Sequence, residues 1–167
     1  MTEVIVSWFS GLPVEMATFI LAMIPVTELR ASIPVAVTLF DMSPFSAFFW
    51  SVLGNCFVGV VGVYVFEPLI SWLVGRWAFL GRLWEQYVGR IRRNNEDRFA
   101  VWGAVALVTF VAIPLPLTGI FTGAVAASIF KVPPLRAIPL LCLGSAIAGI
   151  LVTLLTVFSV MGFGRVH

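Results

Sequence analysis

Apolar positions fill most of the chain, and the breaks between them organise it. After an apolar opening over residues 2–12, which reads as a helix lying along a membrane interface, "PVEMATFILAMIP" occupies residues 13–25. Thirteen residues make a helix of about 20 Å, too short for a hydrocarbon layer about 30 Å thick. "TELRASIPVAVTLFD", residues 27–41, is a second short arm, and "SPFSAFFWSVLGNCFVGVVGVYVFEPLISWLVGR" is long enough for a full crossing. The pattern then changes. Trp77, Leu80, Leu83, Trp84, Tyr87, Val88 and Ile91 recur at helical spacing, with Arg82, Glu85 and Arg90 on the other face. This predicts an amphipathic helix on the membrane surface. Then the first pattern returns: "FAVWGAVALVTFVAIP", a break at "LPLTG", a short arm "IFTGAVAASIFKV", and a second full crossing from "PPLRAIPLL" onward.

The two halves align. A shift of 90 residues brings Ala36 onto Ala126, Phe40 onto Phe130, Pro44 onto Pro134, Leu53-Gly54 onto Leu143-Gly144 and Gly59 onto Gly149. Before the break the shift is 89, which brings Ile24-Pro25 onto Ile113-Pro114. Each half therefore reads as short arm, proline break, short arm, proline, full span.

Composition fixes the class. Of 167 residues, 60% are hydrophobic and 11% charged, far from the usage of soluble domains. The reading is an integral membrane protein with one membrane domain, residues 1–167. Repeat one covers about 13–75, the linker helix about 76–98 and repeat two about 99–163. The net charge of +2 needs no nucleic acid, because clustered arginines mark cytoplasmic loops. The only histidine is His167, and no Cys/His cluster, phosphate loop or nucleophile–base set is present. No enzyme, metal site or cofactor is therefore expected. Cys56 and Cys142 lie in apolar segments, which argues against a disulfide framework. The N-terminus lacks the basic region of a cleaved signal.

Charge also bears on topology. If each pair of arms is one kinked crossing, Lys131 and Arg136 fall on the side opposite the loop Arg76–Arg98. If each pair is a hairpin returning to its own side, eight of the ten basic residues are cytoplasmic, with Arg165 outside and Arg30 buried. The positive-inside rule favours the hairpins. The expected fold is thus an all-α integral membrane protein, an inverted repeat of re-entrant helical hairpin plus full transmembrane helix, with hairpin tips meeting near the midplane.

Few residues there can carry chemistry. Glu28 and Arg30 lie between Pro25 and Pro34, which break the first apolar stretch. Intramembrane ionisable groups are costly and usually functional, and residues two apart do not face each other on a regular helix. Arg30 offers a planar fork for carboxylate or phosphate, and Glu28 can carry a proton. Thr27 is placed to cap the second arm. The second break has no charge. Pro114 and Pro116 leave upstream carbonyls unpaired and able to receive Arg30; Thr118 adds a hydroxyl, and Gly119-x-x-x-Gly123 permits close helix approach. Asn55 and Ser145, at matched positions, can bond across helices. A homodimer is expected, because four broken arms and two full spans leave little protein to shield two irregular tips from lipid, and Gly54, Gly59, Gly62, Gly144 and Gly149 offer close-packing surfaces.

"PVTELRASIP" and "IPLPLTGIFTGAVAAS" resemble the small multidrug export protein family, over about residues 19–149. That family is similar to the DedA-type (VTT domain) membrane proteins. The resemblance implies two opposed re-entrant hairpins, a prokaryotic cytoplasmic membrane and transport of lipid phosphates or other lipids coupled to ion gradients. It also implies an acidic residue in the first hairpin, here Glu28, and arginines near the second, which this chain lacks. The first functional reading is a proton-coupled transporter or flippase for an amphipathic anion, with membrane lipids as surroundings and partners. Export of small amphipathic or cationic drugs is the second reading, and a non-transporting scaffold the third.

Overall fold

The structure, a computed structural model, describes residues 11–76, 96–113, 119–130 and 132–163. The predicted interface helices over 2–12 and 77–95 lie outside them, apart from Gly11 and Leu12, which are not helical. Among the described residues there are six helices: α1 (Val14–Met23), α2 (Glu28–Thr38), α3 (Pro44–Arg76), α4 (Glu96–Ala112), α5 (Ile120–Ile129) and α6 (Pro134–Phe163). Residues 96–98, expected to end the linker helix, instead open α4.

Proline sets most of these boundaries. Ile24, preceding Pro25, is extended at φ −72° and ψ 121°, because the proline ring disfavours helical geometry in the residue before it. α3 and α6 each begin on a proline, whose fixed φ and missing N–H suit a first helical position. Ser43 adds a cap to α3, its Oγ accepting the Ser46 amide at 3.2 Å. Pro34, expected to break the chain, instead sits inside α2. An interior proline costs one backbone hydrogen bond and kinks a helix, and α2 accommodates it.

Both helix pairs double back. Thr18 Oγ1, in α1, lies 3.1 Å from Met42 Sδ, just beyond α2. In one continuous helix these residues would stand about 36 Å apart. In the second half Leu107 and Val111 of α4 share a core with Ile120, Ala124 and Ala127 of α5. A cavity between them is lined by Gly103, Ala106, Leu107 and Phe110 of α4 and by Ala126 and Ala127 of α5.

The long helices run antiparallel. Asn55 Nδ2 donates to Ser145 Oγ at 3.3 Å, Gly59 lies beside Leu141, and Gly149 lies against Val52 and Phe48, so numbers rise on one helix as they fall on the other. Asn55 and Ser145, the matched residues, meet at the crossing as expected. Each stands eleven residues past its helix's first proline, or about 16.5 Å. The two prolines are therefore about 33 Å apart along the axis, near the thickness of a hydrocarbon core. The segments Pro44–Phe66 and Pro134–Gly162 are long and apolar enough to cross a membrane. Their outer faces expose Phe45, Phe49, Leu53 and Phe57, and Leu143, Ile147, Leu154 and Phe158.

Each long helix packs on the first arm of its own half and the second arm of the other. Gly54 approaches the Phe19 carbonyl, and its counterpart Gly144 approaches Val108 O, 2.9 Å from where a Cβ would sit. Gly59 seats Ile120 and Gly62 seats Ala124, while Leu29 and Ile33 pack with Ala148 and Val152. These glycines are thus used inside the chain.

Candidate functional site

The site forms where the turn between α1 and α2 meets the start of α5. Helix α1 stops at Met23, and Pro25 and Val26 are exposed, Val26 to 93%. Thr27 does not cap α2 as expected. Its hydroxyl bonds backwards, to Leu21 O at 3.0 Å and Ile24 O at 3.4 Å, because the turn leaves the last carbonyls of α1 unsatisfied. Helix α2 accordingly lacks a side-chain cap. Glu28 follows at φ 46°, a left-handed conformation costing an ordinary residue roughly 1–2 kcal/mol. Non-glycine residues keep such geometry where surrounding contacts fix it, and they cluster at functional sites.

The contact that fixes Glu28 lies on the other half. Its side chain is 7% exposed, and its carboxylate lies on Gly119, where a Cβ would overlap both oxygens. The Phe121 amide donates a hydrogen bond to it. Gly119 is the N-cap of α5 and has no side chain to cap with; its own N–H donates to Thr122 Oγ1 at 2.9 Å. Helix α5 is therefore capped by a carboxylate from α2. A helix N-terminus carries partial positive charge and free N–H donors, and an ionised acceptor makes the stronger kind of hydrogen bond.

Arg30 is half-buried and interacts electrostatically with Glu28. It lines a groove of about 390 Å³ between α2 and α6, with Pro34, Thr38, Thr156 and Ser159 among its walls. The three hydroxyls donate to their own helices, Thr38 to Pro34 O at 2.7 Å, Thr156 to Val152 O and Ser159 to Leu155 O, both at 2.8 Å. Each oxygen keeps acceptor capacity toward the groove.

The structure thus joins Glu28 with Gly119, places Thr27 and Pro25 in the adjoining turn, and sets Arg30 and Pro34 along the groove. Pro114, Pro116 and Thr118 lie outside the described residues. Sequence reading missed the Phe121 amide, which leaves no trace in residue type. It also missed Thr38, Thr156 and Ser159, although hydroxyls three apart in an apolar span were a visible signal.

The family model described as "Putative small multi-drug export protein" matches residues 28–151, beginning at Glu28 and running well into α6. No curated protein and no solved structure matches the chain. The match takes in 124 of the 167 residues, and with them Glu28, Arg30, all of α5, the first apolar span and the second as far as Leu151. The chain therefore belongs to the small multi-drug export protein family, a family of membrane proteins.

Proposed function

We propose that the protein is a secondary transporter, an inverted repeat of two re-entrant hairpins and two full spans, in which proton binding at Glu28 is linked to contact between the hairpins. The observation that carries this reading is the Glu28 carboxylate on the amide end of α5. Ionised, Glu28 supplies a charge-assisted bond to the opposite half; protonated, it loses that charge and weakens the contact. A group whose protonation changes a contact between opposed repeats has what coupled transport requires.

Arg30 supplies the substrate side. Its groove opens at the apolar exterior beside Leu155 and Val160, both exposed. An amphipathic anion, such as a lipid phosphate, can present its charge to the guanidinium while its apolar part stays outside. The test is flux in vesicles together with thermal stability. Glu28→Gln is expected to stay folded and lose the pH dependence of flux, and Arg30→Lys to bind the anion less well. Wild-type pH dependence in a variant with both residues apolar overturns the reading, and absence of flux for every amphipath leaves the scaffold reading standing.

A second reading rests on the apolar cavity of about 430 Å³ between α4 and α5, lined by Gly103, Ala106, Leu107, Phe110, Ala127 and Phe130. It suits the apolar body of a small hydrophobic cation, with Glu28, which does not line the cavity, as the acid the cation meets elsewhere on its path. Flux of lipophilic cations that survives Arg30→Lys and fails in Glu28→Gln selects this reading over the first.

A further inference from the structure

The crossing of α3 and α6 brings together two groups that transport does not use. Cys56 and Cys142 are free thiols, each partly exposed, and their side chains are hydrogen-bonded to one another. The register of the crossing agrees with this contact. Asn55 bonds Ser145 on one side, and Gly59 lies beside Leu141 on the other, so Cys56 and Cys142 both lie in the stretch between two fixed contacts. A disulfide needs Cα atoms about 4.4–6.8 Å apart. Crossing helices come that close only where small residues let the backbones approach, and Gly59 and Ser145 flank this pair. Both cysteines lie well within the apolar spans, out of reach of polar thiol reagents and open to membrane-soluble ones.

We propose that Cys56 and Cys142 form a reversible redox pair whose disulfide ties the two long helices at their crossing. The oxidant is a two-electron, two-proton acceptor that partitions into the bilayer, such as a fully substituted quinone or an azodicarboxamide. Each thiol gives up its hydrogen, one S–S bond forms, and the acceptor leaves as quinol or hydrazine. The bond closes a loop joining the two halves, and cross-links spanning long loops restrict the unfolded chain most.

The experiment treats the full chain, in vesicles, with the azodicarboxamide diamide and then with an alkylating reagent under denaturing conditions. Both cysteines are expected to lose alkylation together, in a monomeric species carrying a linked Cys56–Cys142 peptide and lighter by two hydrogen atoms. Dithiothreitol should restore alkylation, and the oxidised protein should melt at a higher temperature. Cys56→Ser should leave Cys142 fully alkylated after the same treatment, and Cys142→Ser should leave Cys56 so. The proposal is overturned if both thiols stay alkylatable in the wild type, if each single variant still loses its remaining thiol, or if the bond joins separate chains.

Discussion

The two halves share a frame and differ in chemistry. Shifted by 90 residues, Arg30 corresponds to Ile120, Thr156 to Phe66 and Ser159 to Leu69. In the first half these positions line an open groove with a guanidinium and hydroxyls. In the second the corresponding interface of α5 with α3 is filled: Ile120 packs over Gly59, Ala124 over Gly62, and Phe66 meets Phe121 edge to face at 5.0 Å. Gly54 and Gly144, by contrast, both approach a first-arm carbonyl. Gly54 and Gly59 thus have glycine counterparts in Gly144 and Gly149, whereas Glu28 and Arg30 correspond to the uncharged Thr118 and Ile120. A buried charge costs so much in lipid that placing it twice would tax the fold without adding a second site. The one acid nonetheless touches both halves, because the Phe121 amide at the start of α5 receives it.

The largest effect should come from breaking that junction. Gly119→Ala keeps an allowed backbone, φ −120° and ψ −169°, but its methyl group displaces the Glu28 carboxylate. A buried charge that loses its partners costs about 3–5 kcal/mol, to be measured as unfolding free energy in detergent. Gly103→Ala, with nothing within 4 Å of the added carbon, serves as the neutral control; equal behaviour of the two would refute the junction.

A smaller effect sharpens the symmetric part. Gly54→Ala and Gly144→Ala each push a methyl group toward a backbone carbonyl, and overpacking of this kind costs about 1–3 kcal/mol. The two losses should agree with one another, and a neutral result at one position alone would show that the frame is not shared. The smallest effect probes an asymmetry inside the frame. Ser32 Oγ donates to Ser51 Oγ at 2.7 Å, buried between α2 and α3, and the matched residues are Thr122 and Leu141. Removing either serine hydroxyl should cost about 1 kcal/mol and leave one partner unsatisfied, while removing both should cost less than the sum. Additive losses would mean the bond contributes nothing.

Much of the frame was legible because its causes are local. Pro25 dictates the extended Ile24 and so the end of α1; Pro44 and Pro134 start the spans; the apolar runs report lipid without reference to any neighbour. Where sequence reading went wrong, a local rule met a competing partner. Thr27 was a sound cap by residue type, yet the carbonyls behind it were closer. Pro34 was a sound break, yet packing of Leu29 and Ile33 against α6 holds α2 together across it. The glycines were correctly seen as close-packing positions, but which helix approaches each one was not legible, since a small residue does not specify its neighbour.

By itself, then, the sequence determined a membrane protein with two short-arm pairs, two spans and a pair of charges at the first break. Solvent preference, chain length and proline stereochemistry act within a few residues and can be read along the chain. Only the tertiary structure decided that the Glu28 carboxylate caps α5, that Asn55 and Ser145 mark an antiparallel crossing, and that Cys56 meets Cys142. Each of those contacts joins residues about 90 positions apart. Their partners are backbone amides or small side chains set by helix direction and register, and no local preference encodes them.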